Sequence, residues 1–162
     1  MNKNIMILNL EKFNFDENKF KIPFLFETWN WEGDESILPF KWIDLIKYSE
    51  LLEKKNENFD FDKINIYLKD NYYGLNSFDK LSFFFITNRS DVTGCAYLNK
   101  NNGLIDYFLV HKKFFGDGVE NGLFNLIYKR AIELKLTSIF INLDLTNIKE
   151  DFFSKIGFLK CN

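Results

Sequence analysis

Apolar positions change their spacing along this chain, and the changes mark out a series of elements. Ser82 to Thr87, Thr93 to Asn99 and Leu104 to Val110 are three β-rich runs. They are separated by Asn88-Arg89-Ser90-Asp91 and Lys100-Asn101-Asn102-Gly103, both rich in turn formers, which predicts an antiparallel meander. Next, Val119, Leu123, Leu126, Ile127, Ala131 and Leu134 recur at helical spacing, and Ser138 to Leu143 returns to alternation with Ile139, Ile141 and Leu143 on one face. This order predicts a strand, helix, strand crossover. A short helix from about Lys149 to Lys155 is expected to end at Gly157, a residue suited to a left-handed cap.

The first half is less regular. Residues 1 to about 36 mix short apolar runs with acidic and amide residues, and the alternation is strand-like around Phe24 to Phe26. From Pro39 to about Lys54, Phe40, Ile43, Ile46, Leu51 and Leu52 fall on one side while Asp44, Lys47 and Glu50 recur on another, which predicts a helix. Asp62 to Tyr72 reads as a second helix, with Ile64, Ile66 and Leu68 offering a strand as the alternative. Trp29, Trp31 and Trp42 are expected mainly in the core, with the lining of a pocket as the other use of such residues.

Size and composition narrow the picture. The 162 residues suit one domain spanning 1–162, and 46% hydrophobic residues, including 20 Phe, predict a core rich in ring packing. A net charge of -2 provides no basic field for nucleic acid, which is therefore not an expected partner. Cys95 and Cys161 are far apart and His111 is the only histidine, so neither a redox motif nor a metal site is expected. Polar residues interrupt the start too early for a signal sequence, and no apolar run reaches membrane-spanning length. The expectation is a cytoplasmic protein without a membrane partner.

Candidate chemistry centres on Phe115-Gly116-Asp117-Gly118-Val119-Glu120, at the opening of the long helix. Glycines let main chain approach a ligand closely, and free N–H groups at a helix start favour an anion such as a pyrophosphate. Asp117 and Glu120 oppose that use, and their spacing equally fits a helix cap.

The segment from Phe108 to Leu123, together with Phe152-Phe153-Ser154-Lys155-Ile156-Gly157-Phe158, resembles the signature of the GNAT superfamily of acyl-CoA-dependent N-acetyltransferases. The resemblance covers roughly the last 80 residues, and of the three specified positions in the family's glycine motif only Gly118 matches. It implies an α/β fold with a mixed, mostly antiparallel sheet, acetyl-CoA as cosubstrate without a metal, and transfer of an acetyl or other acyl group to an amine of a small molecule or peptide. By the same resemblance, the main chain at Leu109 and Val110 pairs with the pantetheine arm, and Phe115, Gly116, Asp117, Gly118 and Val119 cradle the pyrophosphate. Asn147 lies close to the family's asparagine, with capping of the last helix as its other reading.

By the resemblance, Phe153 falls where many relatives carry a tyrosine that protonates the departing thiolate, so the expectation is either slow transfer by proximity alone or a donor elsewhere, with Tyr107 as the substitute. Asp106 matches an acidic position common on this strand and is the expected base, with Glu27 and Glu32 as less specific candidates. His111 is read as structural. A noncatalytic protein of the same fold, acting through protein contacts, is the rival that Asp117, Glu120 and Phe153 support. Most relatives continue for one more strand after the Gly-Phe pair, so an open sheet edge and a homodimer are also expected.

Overall fold

The computed structural model describes residues 4–30, 41–43, 45–46, 61–89 and 91–161. Its strands are β1 (Ile5–Asn9), β2 (Glu27–Asn30), β3 (Phe83–Asn88), β4 (Asp91–Leu98), β5 (Leu104–Val110), β6 (Ser138–Asn142) and β7 (Leu159–Lys160). They form one sheet in the order β2-β3-β4-β5-β6-β1-β7. Every neighbouring pair is antiparallel except β5 and β6. Among the described residues, the helices with both ends defined are α1 (Phe61–Leu68), which runs on into a π-helical turn at Lys69–Tyr73, then α2 (Val119–Glu133) and α3 (Glu150–Ile156).

The expected meander is therefore β3, β4 and β5, and the crossover is β5, α2 and β6. A right-handed parallel connection needs a helix to cover one sheet face, and α2 does so with Leu123, Phe124 and Ile127 buried against Phe84, Ile86, Ala96, Phe108 and Val110. Phe13, Phe15 and Phe20 close over the outer side of α2, with Phe15 stacked on Tyr128 at 4.1 Å and Phe20 at 4.7 Å from Phe124. Phe20, the fully buried ring of the three, contributes about 1.5–3 kcal/mol from area alone.

The opposite sheet face carries a second core of Trp42, Leu68, Phe83, Phe85, Tyr97, Tyr107 and Leu109. Residues 41–43 and 45–46 are helical, as the periodicity from Pro39 predicts, and the rest of that expected helix lies outside the described residues. The helical reading of Asp62 to Tyr72 holds, with the added π-turn. Trp42 is fully buried and Trp29 is partly exposed on β2, with the Lys41 Nζ 4.0 Å above its ring. Trp31 and Glu32 lie outside the described residues.

One expectation needs correction. The strand anticipated at Phe24 to Phe26 begins instead at Glu27, because Phe26 N–H bonds back to Pro23 C=O at 3.0 Å and makes a turn that leaves Phe24 wholly exposed. The open edge expected beyond the Gly-Phe pair falls at β7, the last strand of the sheet. β1 pairs with β6 over Ile5 to Asn9 on one side and with β7 on the other, so the edge beyond it shrinks to the two residues of β7. Ile5-Met6-Ile7-Leu8 carries the β-forming apolar character of that strand, but its partners are more than 130 residues away in sequence.

Candidate functional site

β5 and β6 pair in parallel only at Leu104 with Phe140 and Ile105 with Ile141, after which the strands part. β6 ends at Asn142 and enters a 3-10 turn at Leu143–Leu145, while β5 continues to Val110. The exposed strand edge is filled from the segment that follows. The Thr146 hydroxyl donates to Phe108 C=O at 2.6 Å, and the Asn147 Nδ2 donates to Val110 C=O at 2.6 Å. Val110 N–H donates in turn to the Asn147 Oδ1 at 3.0 Å. One carboxamide thus satisfies both main-chain groups of Val110, as a neighbouring strand would. The capping role for Asn147 is not seen, since Lys149 occupies the N-cap of α3 and no side chain caps there.

Beyond Val110 the chain makes a one-turn 3-10 helix, Lys112–Phe114, capped by the His111 Nδ1, which accepts from Lys113 N–H at 3.2 Å. This matches the structural reading of His111. Gly116 and Gly118 then adopt φ of +84° and +87°, left-handed values that glycine tolerates best. Gly118 is the N-cap of α2 and brings no side-chain bond, so Asp117 is not the cap that its spacing to Glu120 suggests. Glu120 instead reaches back and accepts the Gly116 N–H at 3.1 Å. Its carboxylate is an anion held on the turn where an anionic ligand is expected. Lys129 does not neutralise it, because its Nζ pairs with Glu17 at 2.9 Å. A Cβ on Gly116 would meet nothing within 4 Å, whereas one on Gly118 would lie 2.8 Å from the Pro23 Cγ.

At the other end of β5 the register with β4 shifts: Tyr97 faces Tyr107 and Leu98 faces Ile105, leaving Asp106 as the extra residue of a bulge. The bulge turns the strand over, so that Ile105 belongs to the α2-side core and Tyr107 to the other. Asp106 opens into a cavity of about 80 Å³ that Asn71, Tyr72, Phe78, Tyr97 and Asn99 also line. Burial pushes its carboxyl up to about 6, and a hydrogen bond from Asn99 partly offsets this. Tyr107 is buried, with its ring edge-on to Trp42 at 5.1 Å and to Tyr72 at 5.4 Å. Burial also raises the Tyr107 phenol, against a hydrogen bond from Tyr72 that lowers it.

The predicted residues therefore fall in two groups on one strand. Val110, Asn147 and the turn from Phe115 to Val119 meet at its C-terminal end. Asp106 and Tyr107 meet at the bulge, roughly 13 Å away for four residues of strand. Leu109 lies in the second core, Phe115 is partly exposed, and Phe153 is closed off among Phe152 at 5.2 Å, Phe108 at 5.4 Å and Phe158 at 5.7 Å. Glu27 lines a separate open cleft with Phe24, Arg89, Asp91 and Lys113. Thr146, Tyr72 and Tyr97 were not singled out from sequence. Thr146 had a usable signal in its position next to Asn147, whereas the tyrosines had none, since only folding brings them to Asp106.

No family model matches the chain, and no curated protein matches it. Among solved structures, a GCN5-related N-acetyltransferase from Sphaerobacter thermophilus superposes with a TM-score of 0.66 at 9% identity, over 97% of this chain and 47% of that one. The chain thus spans about half the length of that protein. An acetyltransferase from Streptococcus agalactiae 2603 matches with a TM-score of 0.52 at 20% identity, over 70% of each chain. The C-terminal domain of a putative lysylphosphatidylglycerol synthetase from Agrobacterium fabrum matches with a TM-score of 0.54 at 13% identity, over 94% of this chain and 49% of that one. On these likenesses the chain has the fold of the GCN5-related N-acetyltransferases, a seven-stranded sheet flanked by helices.

Proposed function

We propose that the chain transfers an acetyl or other acyl group from acyl-CoA to an amine. The observation that carries this reading is the pair of stand-ins at the end of β5. The Asn147 carboxamide takes the main-chain groups of Val110, where the amide of a pantetheine arm would pair. The Glu120 carboxylate takes the Gly116 N–H, where a phosphate would bind. These two polar groups of the ligand each have an intrachain substitute of their own chemical class, so the donors suit them once the two side chains turn away.

When bound, acyl-CoA supplies the activated thioester. The chain's part is to present Val110 as a strand edge and the turn from Gly116 to Val119 as an anion cradle, with the first N–H groups of α2 uncommitted within the helix. Asp106 accepts the proton that the amine must lose, and a carboxyl near 6 suits that task at neutral pH better than an exposed one. Tyr107 is the hydroxyl beside it, but burial makes it a weak acid, so the leaving thiolate receives little help. Slow transfer driven by positioning is the expected outcome.

The rival reading is a noncatalytic protein in which the two stand-ins are permanent. Calorimetry with acetyl-CoA and desulfo-CoA at low salt separates the two. Saturable binding supports the transferase, and its absence in the wild type and in a Glu120→Ala, Asn147→Ala double variant rejects it.

A further inference from the structure

The turn before β2 builds an apolar projection on a fixed base. Phe26 N–H closes it on Pro23 C=O at 3.0 Å, and the Phe26 ring lies edge-on to Phe114 at 5.9 Å. Pro23 packs so close to Gly118 that a Cβ there would lie 2.8 Å from its Cγ. At the tip, Phe24 is 100% and Leu25 is 72% exposed. Two adjacent apolar side chains held in water forgo the burial that drives packing, and on a fixed turn they mark an interaction surface. Beside the tip an open cleft of about 770 Å³ runs between the turn joining β3 to β4 and the 3-10 turn after β5. Phe24, Leu25 and Phe114 give it an apolar wall, and its charges come in equal numbers of each sign, Arg89 and Lys113 against Glu27 and Asp91. Among the described residues none of these four charges has a salt bridge.

We infer that two copies of this chain associate through this patch about a two-fold axis, the Phe24–Leu25 tip of each seated in the cleft of the other, with Glu27 facing the partner's Arg89 and Arg89 facing the partner's Glu27. Projection and cleft share one patch, so the patch is its own complement: an apolar tip for an apolar wall, and a carboxylate for each cation. A two-fold interface requires this, because whatever one copy presents the other presents as well. A net charge of only -2 sets up little long-range repulsion between copies. A small molecule is a poorer occupant, since a ligand in an open cleft keeps much of its surface in water. The association needs no CoA and no acyl transfer. It lies directly behind the glycine turn, which Pro23 touches at Gly118.

The test is sedimentation velocity and light scattering over rising protein concentration. A monomer–dimer equilibrium with a dissociation constant of about 1–100 µM is expected, since an interface of one tip and one cleft from each side is small. Phe24→Ser and Leu25→Ser remove exposed side chains and should each raise that constant about tenfold or more. Glu27→Lys and Arg89→Glu, also at exposed positions, should each be monomeric alone, because each homodimer then sets like charges opposite one another twice. An equimolar mixture of the two should dimerise as the wild type does, because both pairs are of opposite charge again in the mixed dimer. That recovery also shows that both variants are folded. A monomer mass up to about 1 mM, tenfold above the expected range, overturns the inference, also where the monomer instead co-sediments with phosphatidylserine vesicles. So does a dimer that persists unchanged in Phe24→Ser and Leu25→Ser, or a mixture of the charge variants that stays monomeric while the wild type dimerises.

Discussion

Asn147 holds Val110 by both of its main-chain groups, at 3.0 Å to the N–H and 2.6 Å to the C=O, across the gap where β5 and β6 have parted. Val110 is fully buried, so these groups have no ready replacement in water. Removing the carboxamide leaves a buried donor and acceptor unpaired, which costs about 1–3 kcal/mol. Asn147→Ala should therefore lower stability in urea by about that amount, and hydrogen exchange at the Val110 amide should accelerate. If the same groups receive the pantetheine arm, acetyl-CoA should raise the melting temperature of the variant more than that of the wild type. A larger ligand shift in the wild type would mean that Asn147 contacts the ligand and does not stand in for it.

Glu120 places a negative charge on the turn, against Gly116 N–H. Glu120→Ala should tighten acetyl-CoA binding, and the gain should shrink as salt rises from about 0.01 to 0.15 M because screening weakens the repulsion it removes. Equal affinity of the two proteins at low salt would place the phosphates elsewhere.

Glycine substitutions in the turn should separate folding from binding. Both positions have positive φ, which costs an alanine about 1–2 kcal/mol. Only at Gly118 does a Cβ also run into Pro23, at 2.8 Å. Gly118→Ala should thus unfold at clearly lower urea than Gly116→Ala. Equal midpoints would show that Pro23 moves aside freely.

Arg130 ties α2 to the turn before β3. Its Nη2 lies 3.1 Å from the Asp79 Oδ2, its Nε donates to the Ser82 hydroxyl at 3.0 Å, and Ser82 donates to Asp79. Burial pushes the Asp79 carboxyl up, but the hydrogen bonds and the guanidinium outweigh it and hold it below the usual range. A carboxyl lowered by folding stabilises above its unfolded pKa of about 3.9, and the contribution disappears as pH falls through the folded value. Arg130→Leu should cost about 3–5 kcal/mol at pH 7, since it strands a buried charge, and the loss should narrow below about pH 4. A loss independent of pH between about 3 and 7 would assign the effect of Arg130 to packing alone.

Asp106 carries the opposite sign. Its carboxyl is raised to about 6, so folding binds the proton more tightly than the unfolded chain does, and stability declines as pH rises from about 4 through 6. Asp106→Asn should be more stable than the wild type at pH 7.5 and close to it at pH 4, by thermal denaturation. A variant less stable at pH 7.5 would mean that the ionised carboxylate has a favourable partner.

Local pattern was enough to place the second half of the fold. The turn formers between β3, β4 and β5, the stripe on α2 and the alternation in β6 are short-range properties, and each depends on neighbours within a few residues. The glycine turn was legible for the same reason, since Gly116 and Gly118 sit where positive φ is needed. Tertiary structure decided the rest. β1 becomes a strand by filling the space between β6 and β7, and the strand expected at Phe24 yields to a turn set by Pro23. Spacing offered Asn147 and Glu120 as helix caps, but long-range geometry gave the first to Val110, and a four-residue reach gave the second to Gly116. The cavity at Asp106 joins residues of a bulge, a π-turn and a neighbouring strand, and no periodicity in the sequence encodes their meeting. A side chain's partner is fixed by which unpaired buried group the completed fold brings within about 3 Å, and that distance exists only after the sheet has formed.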